Sequence, residues 1–267
     1  LSERAIGVFD SGIGGLTVLK EIMRLLPGEE LLYLGDTARV PYGTKSPPTV
    51  LRYALEAAAF LAERRVKMLV VACNTASSVA LPALAKRFSL PVIGVIEPGA
   101  RRAVAVTRNR RVGVIGTEGT IKSGAYTRAI HAFDGDIEVY ATSCPLFVPL
   151  AEEGWAEHPV ARATASEYLA PLMARGIDTL VLGCTHYPLL KNTLQAVLGD
   201  GVVLIDSAAE TARLVAARLA EQALFRRGPA ANPHFFVTDI PHRFEKVGGA
   251  FIGAPLLGIQ QVELDKS

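Results

Sequence analysis

The sequence predicts an α/β fold of two pseudo-symmetric lobes, each a mostly parallel sheet flanked by helices, with a ligand cleft between them. Three observations carry that expectation. Short apolar runs alternate with longer helical patterns along the chain, as in parallel sheets covered on both faces. A strand running into glycine, Ile6-Gly7-Val8-Phe9-Asp10-Ser11-Gly12, is echoed by Val112-Gly113-Val114-Ile115-Gly116-Thr117. An apolar run ending in cysteine also occurs twice, as Leu69-Val70-Val71-Ala72-Cys73-Asn74-Thr75 and Leu180-Val181-Leu182-Gly183-Cys184-Thr185-His186. The two intervals, 106 residues from Ile6 to Val112 and 111 from Cys73 to Cys184, are nearly equal, as two related lobes require.

Taken in order, the run from Ile6 is a short buried strand stopped by a Gly-rich turn, and Thr17–Leu26 follows with helical spacing. Leu31–Gly35 is again a short apolar run, followed by a long helical pattern over Thr49–Arg64. Met68–Ala72 and Val92–Val95 read as buried strands around a helix over Ser78–Arg87. A helix over Gly99–Val106 leads to the strand Val112–Gly116. Then come a helix over Ala125–Phe133, a strand over Ile137–Ala141, a helix over Pro159–Ala174 and the strand Thr179–Gly183. Helices over Leu189–Leu198 and Ala208–Leu224 enclose a last strand, Val202–Ile205. The Glu97-Pro98-Gly99 break and Asp206-Ser207 mark the expected crossings between lobes. This gives a first lobe of 1–97 plus 207–267 and a second of 98–206. The Phe235–Ile259 segment, after the loop Gly228–Pro233, is expected to return to the first lobe.

Bulk properties exclude several classes. Of 267 residues, 50% are hydrophobic and 20% charged, as in a globular protein that buries a sizeable core. A formal charge of only +2 gives no electrostatic case for nucleic acid or an anionic membrane. Arg108, Arg110 and Arg111 therefore read as a solvated loop. No apolar run reaches the roughly 20 residues of a membrane span. The first strand begins almost at once, so no secretory leader is expected. Three cysteines without a framework spacing read as reduced thiols of a cytoplasmic enzyme.

Cys73 and Cys184 are the leading chemical candidates. A lone cysteine at a strand end is usually a small buried hydrophobe. Two in matched settings, each at a carboxyl strand end where α/β ligand sites form, point to one site with a thiol on each side. Such a site can take a proton from one face of a carbon and return one to the other. A thiol beside a helix N-terminus is expected to favour thiolate. Cys144, before Pro145 and lacking a polar frame, reads as structural. Asp10-Ser11-Gly12-Ile13-Gly14-Gly15 partly resembles an anion-cradling turn but lacks both the P-loop ending and the dinucleotide fingerprint. His186 stands close enough to Cys184 to tune a thiol or move a proton. No spacing resembles a metal site.

These segments resemble the signatures of the glutamate racemase family, in the family's order and across essentially the whole chain. They are Val8–Leu16, Pro41-Tyr42-Gly43, Ala72-Cys73-Asn74-Thr75-Ala76-Ser77 and Gly183-Cys184-Thr185-His186-Tyr187-Pro188-Leu189, with Phe147–Glu152 as a further likeness. The resemblance implies interconversion of L- and D-glutamate without a cofactor, and D-glutamate supply for peptidoglycan. It also implies a homodimer. By resemblance, Cys73 acts on the D-isomer and Cys184 on the L-isomer. Asp10 is expected beside Cys73, and His186 with Glu152 beside Cys184. Asp10, Ser11, Pro41, Tyr42, Gly43, Asn74, Thr75, Thr185 and His186 correspond to substrate contacts. Thr117 and Thr120 correspond to groups that hold the side-chain carboxylate. The alternatives are a racemase for aspartate or a related small acid, and a two-lobe acidic-ligand binding protein. A thiol-redox role is disfavoured by the absence of Cys-x-x-Cys.

Overall fold

In the computed structural model every strand runs parallel to its sheet neighbours. The structure describes residues 1–229 and 231–264. Ala230, in the expected Gly228–Pro233 loop, and residues 265–267, at the end of the expected first lobe, lie outside the described residues.

The first sheet contains β1 (Ile6–Asp10), β2 (Leu31–Gly35), β3 (Met68–Val71) and β4 (Val92–Gly94), in the order β2-β1-β3-β4. The second contains β5 (Arg111–Gly116), β6 (Glu138–Ser143), β7 (Thr179–Gly183) and β8 (Val203–Asp206), in the order β6-β5-β7-β8. The two orders are the same once strand n is matched to strand n+4. The repeat seen in two sequence landmarks thus extends to the whole sheet. Among the described residues only the first sheet is extended, by β9 (His234–Val237) on β2 and β10 (Gln260–Gln261) beyond it.

Alternation along the strands explains how helices cover both faces. Ile6 and Val8 pack with α1 (Leu16–Leu25), α10 (Ser207–Glu221) and α11 (Pro241–Ile252). Phe9 and Leu34 pack on the other face with α2 (Pro47–Glu63) and α3 (Asn74–Arg87). In the second sheet, Val112 and Val114 face α4 (Ile96–Val106) and α6 (Ala125–Phe133). Ile115 and Leu182 face α7 (Phe147–Glu152), α8 (Pro159–Met173) and α9 (Lys191–Leu198). A short α5 (Glu118–Lys122) follows β5.

Several elements differ from the sequence expectation for physical reasons. Helix α3 begins at Asn74 rather than Ser78, because the Cys73 sulfur itself caps it, accepting from Ala76 N–H at 3.5 Å. Leu189–Leu198 divides into a 3-10 turn, Tyr187–Leu190, and α9. Strand β6 runs on through Thr142 and Ser143, which the ladder with Ile115 and Gly116 holds in register despite their polarity. Arg108, Arg110 and Arg111 lie in or beside an exposed turn, with Arg110 paired to Asp134 and Asp136. Among the described residues no helix is long and apolar enough to cross a membrane.

Two polar features brace the first sheet and α10. Lys67 is buried and donates to Glu29 at 2.5 Å and to the carbonyls of Ser2 and Leu224 at 2.7 and 2.8 Å. Its ammonium thus has three acceptors, which offsets the cost of burying the charge. Asp206 caps α10, accepting from Ala208 N–H at 2.9 Å, and also pairs with Lys191 at 2.6 Å. Asp206→Ala should cost about 1 kcal/mol. Thermal denaturation should show it as a fall of about 2–4 °C in Tm, with little change in circular dichroism.

Candidate active site

Four strand ends converge on one cleft. Asp10 closes β1, Cys73 follows β3, Thr117 follows β5 and Cys184 follows β7. These strands are the inner pair of each four-strand repeat, β2-β1-β3-β4 and β6-β5-β7-β8, so the cleft lies where the two repeats face each other. Its lining includes Ser11, Pro41, Tyr42, Gly43, Cys73, Asn74 and Thr75 from the first lobe. Thr117, Glu152, Cys184, Thr185 and His186 come from the second. The free space is about 40 Å³, a tight pocket partly open to solvent, with polar groups set among more extensive apolar wall.

Two glycines allow this close approach. A methyl group at Gly14 would collide with Thr185 and His186, so the Gly-rich turn reaches the second lobe only without a side chain. A Cβ at Gly43 would stand 2.6 Å from Thr117 Cβ. Thr17 Oγ1, in the first turn of α1, shares its proton between Gly14 O at 2.9 Å and Thr185 O at 3.1 Å, which links the turn to the second lobe.

The threonines form a hydroxyl triangle across the two lobes. Thr75 Oγ1 lies 2.9 Å from Thr117 Oγ1 and 3.3 Å from Thr120 Oγ1, and the latter two are 3.0 Å apart. Thr117 lines the cleft, whereas Thr120 stands behind it and is buried. Asp10 is likewise behind the wall: it is fully buried and absent from the lining, and its Oδ2 accepts from Gly12 N–H at 2.9 Å. Tyr42 is fixed through its hydroxyl, which donates to Asp36. Asn74 is fixed by Tyr126, whose hydroxyl donates to Asn74 Oδ1 at 2.7 Å. That leaves the Asn74 Nδ2 group without a protein acceptor, and Asp10 Oδ1 also has no donor.

The two thiols have unlike surroundings. Cys73 donates toward Ser11 Oγ at 3.6 Å. Burial, with the Asp10 charge adding to it, pushes the Cys73 thiol from its ordinary value of 9.0 up to about 12. The capping N–H of Ala76 and the Ser11 hydroxyl act in the other direction but are outweighed. This corrects the expectation of a favoured thiolate at Cys73: the helix N-terminus is present, but loss of water dominates. The same burial raises the Asp10 carboxyl, against the His186 charge and the N–H groups of Gly12, Gly15 and Ser11.

Cys184 stands instead at a turn leading into the 3-10 segment, so the α-helix N-terminus expected there is absent. Its partner is His186, whose Nδ1 lies 3.8 Å from the sulfur. His186 Nε2 is 3.0 Å from Glu152 Oε1. Burial alone would lower His186, but hydrogen bonds to Cys184 and Glu152 and their charges overcome it and push it up to about 10. Glu152 is held low: burial opposes this, but the His186 hydrogen bond and charge, with Arg243, prevail.

Sequence reasoning did not single out the apolar lining residues Ile13, Val40 and Val148, or Tyr126 and Arg243. Tyr126 sits in a helical pattern and Arg243 in the Phe235–Ile259 segment, both far from any motif, and only the fold brings them in. Cys144 lies buried in the second core, where burial pushes its thiol up to about 12. Among the described residues no group of three or more His, Cys, Asp and Glu could hold a metal ion.

Comparison with known proteins adds a consistent likeness. Residues 6–215 match the family model described as Asp/Glu/hydantoin racemase. A glutamate racemase of Geobacter metallireducens is 59% identical over 263 residues, 98% of this chain and 97% of that protein. The crystal structure of glutamate racemase isoform RacE1 from Bacillus anthracis superposes with a TM-score of 0.95 at 41% identity, covering 98% of each chain. That of Francisella tularensis glutamate racemase in complex with D-glutamate has a TM-score of 0.95 at 40% identity, over 100% of both chains.

Proposed function

Since the chain belongs to the Asp/Glu/hydantoin racemase family, we propose that it interconverts L- and D-glutamate, without a cofactor, by passing the α-proton between two thiols. One observation carries the reading. Two cysteines at repeat-related strand ends, in different lobes, line the same small cleft with unlike proton-holding partners. A binding protein has no need of that pairing. The choice of glutamate over aspartate rests on the relatives, which are named glutamate racemases across nearly their full length.

In the L-to-D direction, the Cys184 sulfur takes the α-proton and the Cα–H electron pair stays on the substrate, spreading into the α-carboxylate. The Cys73 S–H then breaks, its proton going to the opposite face of Cα. Cys73 is left as thiolate and Cys184 as thiol, the form that starts the reverse reaction. Ser11, Asn74, Thr75 and Thr185 donate to the α-carboxylate as it gains charge. The unpaired Asn74 Nδ2 group supports that role. Thr117, with Thr120 behind it, and the Tyr42-Gly43 turn hold the distal carboxylate.

The energetics show why burial matters. A turnover of about 10 per second allows a barrier of roughly 16 kcal/mol. At about 1.36 kcal/mol per pKa unit, the carbon acid can be only about 12 units weaker than its acceptor. A Cys73 thiol pushed up to about 12 is rarely ionised at rest, but its thiolate is a correspondingly stronger base. The burial that disfavours the charge therefore narrows the gap to the carbon acid. Admission of a five-carbon diacid to a space of about 40 Å³ requires the lobes to part and close again. The product would feed peptidoglycan assembly in the cytoplasm, and the enzyme would act as a homodimer.

The direct test is incubation with each glutamate enantiomer, without added cofactor, followed by circular dichroism. Both should approach the racemate, and in deuterated water the α-position should become deuterated. Aspartate should turn over at least about tenfold more slowly, because it cannot reach both carboxylate sites. Tight glutamate binding with an intact α-proton would leave a binding protein as the better reading.

A further inference from the structure

We infer that Arg243 is a positioning residue, holding the Glu152–His186 pair in place from across the mouth of the cleft. The inference deepens the racemase reading and rests on it. Arg243 Nη2 donates to Glu152 Oε2 at 3.2 Å. The other carboxylate oxygen, Oε1, is the one 3.0 Å from His186 Nε2, and His186 Nδ1 faces the Cys184 sulfur at 3.8 Å. A single chain of contacts thus runs from a guanidinium at the rim to a buried thiol.

The contact crosses between lobes. Arg243 lies near the start of α11, whose Phe244 is buried among Tyr33 and Phe235 of the first sheet. Glu152 ends α7, whose Phe147 packs on Tyr168 and Tyr187 in the second core. The same α11 places Phe251 edge-on to the His186 ring, with centroids 5.5 Å apart. Arg243 and Phe251 are spaced as residues on one side of a helix. His186 is therefore steadied by α11 twice, through Glu152 and through an aromatic contact.

Among the described residues this helix has no counterpart in the second lobe; it belongs to the β9-α11-β10 extension of the first sheet. The matching thiol, Cys73, has Asp10 behind it, supported by the Gly12 N–H rather than by a side chain from a distant helix. The extension thus breaks the symmetry of an otherwise repeated site. The charged and titratable groups facing His186 are Cys184 on its own loop, Glu152 from α7 and Asp10 from β1, with Arg243 from α11 acting through Glu152.

Because Arg243 is 56% exposed and Glu152 21%, solvent screens their attraction, and the effect should be modest and sensitive to salt. The experiment compares full-length wild type, Arg243→Met and Arg243→Lys. It measures kcat and KM for both enantiomers from neutral to alkaline pH, at low ionic strength and at about 0.5 M salt. The His186 ring is titrated by NMR in parallel. Arg243→Met should lower kcat about three- to five-fold with little change in KM, and should move the alkaline limb and the imidazole titration to lower pH. Arg243→Lys should recover most of the loss. Salt should depress the wild type toward the Met variant and leave that variant nearly unchanged. Unaltered kcat and titration in Arg243→Met would overturn the inference. So would a loss that Lys does not rescue and that leaves the pH profile in place, since that is mere structural damage. If the wild type does not racemise glutamate, the functional reading fails instead, and the imidazole titration still decides the role of Arg243.

Discussion

Cys73→Ser and Cys184→Ser should each lower racemisation by about 10³-fold or more while leaving the fold intact. A hydroxyl is nearly isosteric with a thiol and suits these small strand-end pockets, so circular dichroism and Tm should change little. As a base at neutral pH, however, serine is far less readily ionised than cysteine. The two variants should also differ from each other. Cys73→Ser retains the Cys184 side, so in deuterated water it should exchange the α-proton of L-glutamate without inverting it. Cys184→Ser should do the same to D-glutamate. Exchange of both enantiomers by one variant would mean that a single group serves both faces, and the two-thiol account would fail.

Equilibrium thermodynamics limits how the asymmetry of the site can appear. Enantiomers have equal free energy in water, so kcat/KM must be the same in both directions for wild type and every variant. The unlike partners, Asp10 behind Cys73 and His186–Glu152 beside Cys184, can therefore show only in the separate kcat and KM values. On the proposed two-thiol route, an enzyme resting with Cys73 as thiol would start with the L-isomer, and turnover from the D-isomer would first need the opposite proton distribution.

The buried strands of the two repeats are readable in the sequence because a parallel strand covered on both faces is an uninterrupted apolar run, whereas β9 and the two-residue, exposed β10 are not. Ile6–Asp10, Leu31–Gly35 and Thr179–Gly183 are buried along their whole length. The positions of Cys73 and Cys184 followed from the same logic, since ligand sites form at carboxyl strand ends. What sequence could not supply was environment. The helix N-terminus beside Cys73 is a local feature, visible in Asn74-Thr75, whereas its burial and the Asp10 charge depend on two other strands. The thiol state at Cys73 is therefore not readable from the local sequence. The short helices α5 and α7 gave no clear period over five and six residues. Helix α11 carries Gly248 and Gly249 in its interior, which weakens the helical pattern, so its role at the cleft mouth emerges only from packing.

Glu152→Gln should narrow the pH range of activity from its alkaline side. Two site groups are raised into the alkaline range: Cys73 is pushed up to about 12 and His186 up to about 10, so of the two His186 is the first to lose its proton as pH rises. Its protonated form depends on Glu152 and Cys184 outweighing burial. Removing the Glu152 charge leaves burial with less opposition, and His186 should fall from near 10 toward the ordinary imidazole value of about 6.5. At mildly alkaline pH the variant should lose about tenfold or more in kcat, with much of the activity returning as pH is lowered. His186→Asn should cost about 10²-fold and show no such recovery, because the titrating group itself is gone. The linkage to stability has the same sign. A histidine raised in the folded state contributes fully below its unfolded value of about 6.5, and that contribution fades as pH rises through about 10. Wild type should therefore lose Tm over that interval by more than Glu152→Gln does. An alkaline limb that stays in place in Glu152→Gln would assign it to another group and remove His186 from the proton path.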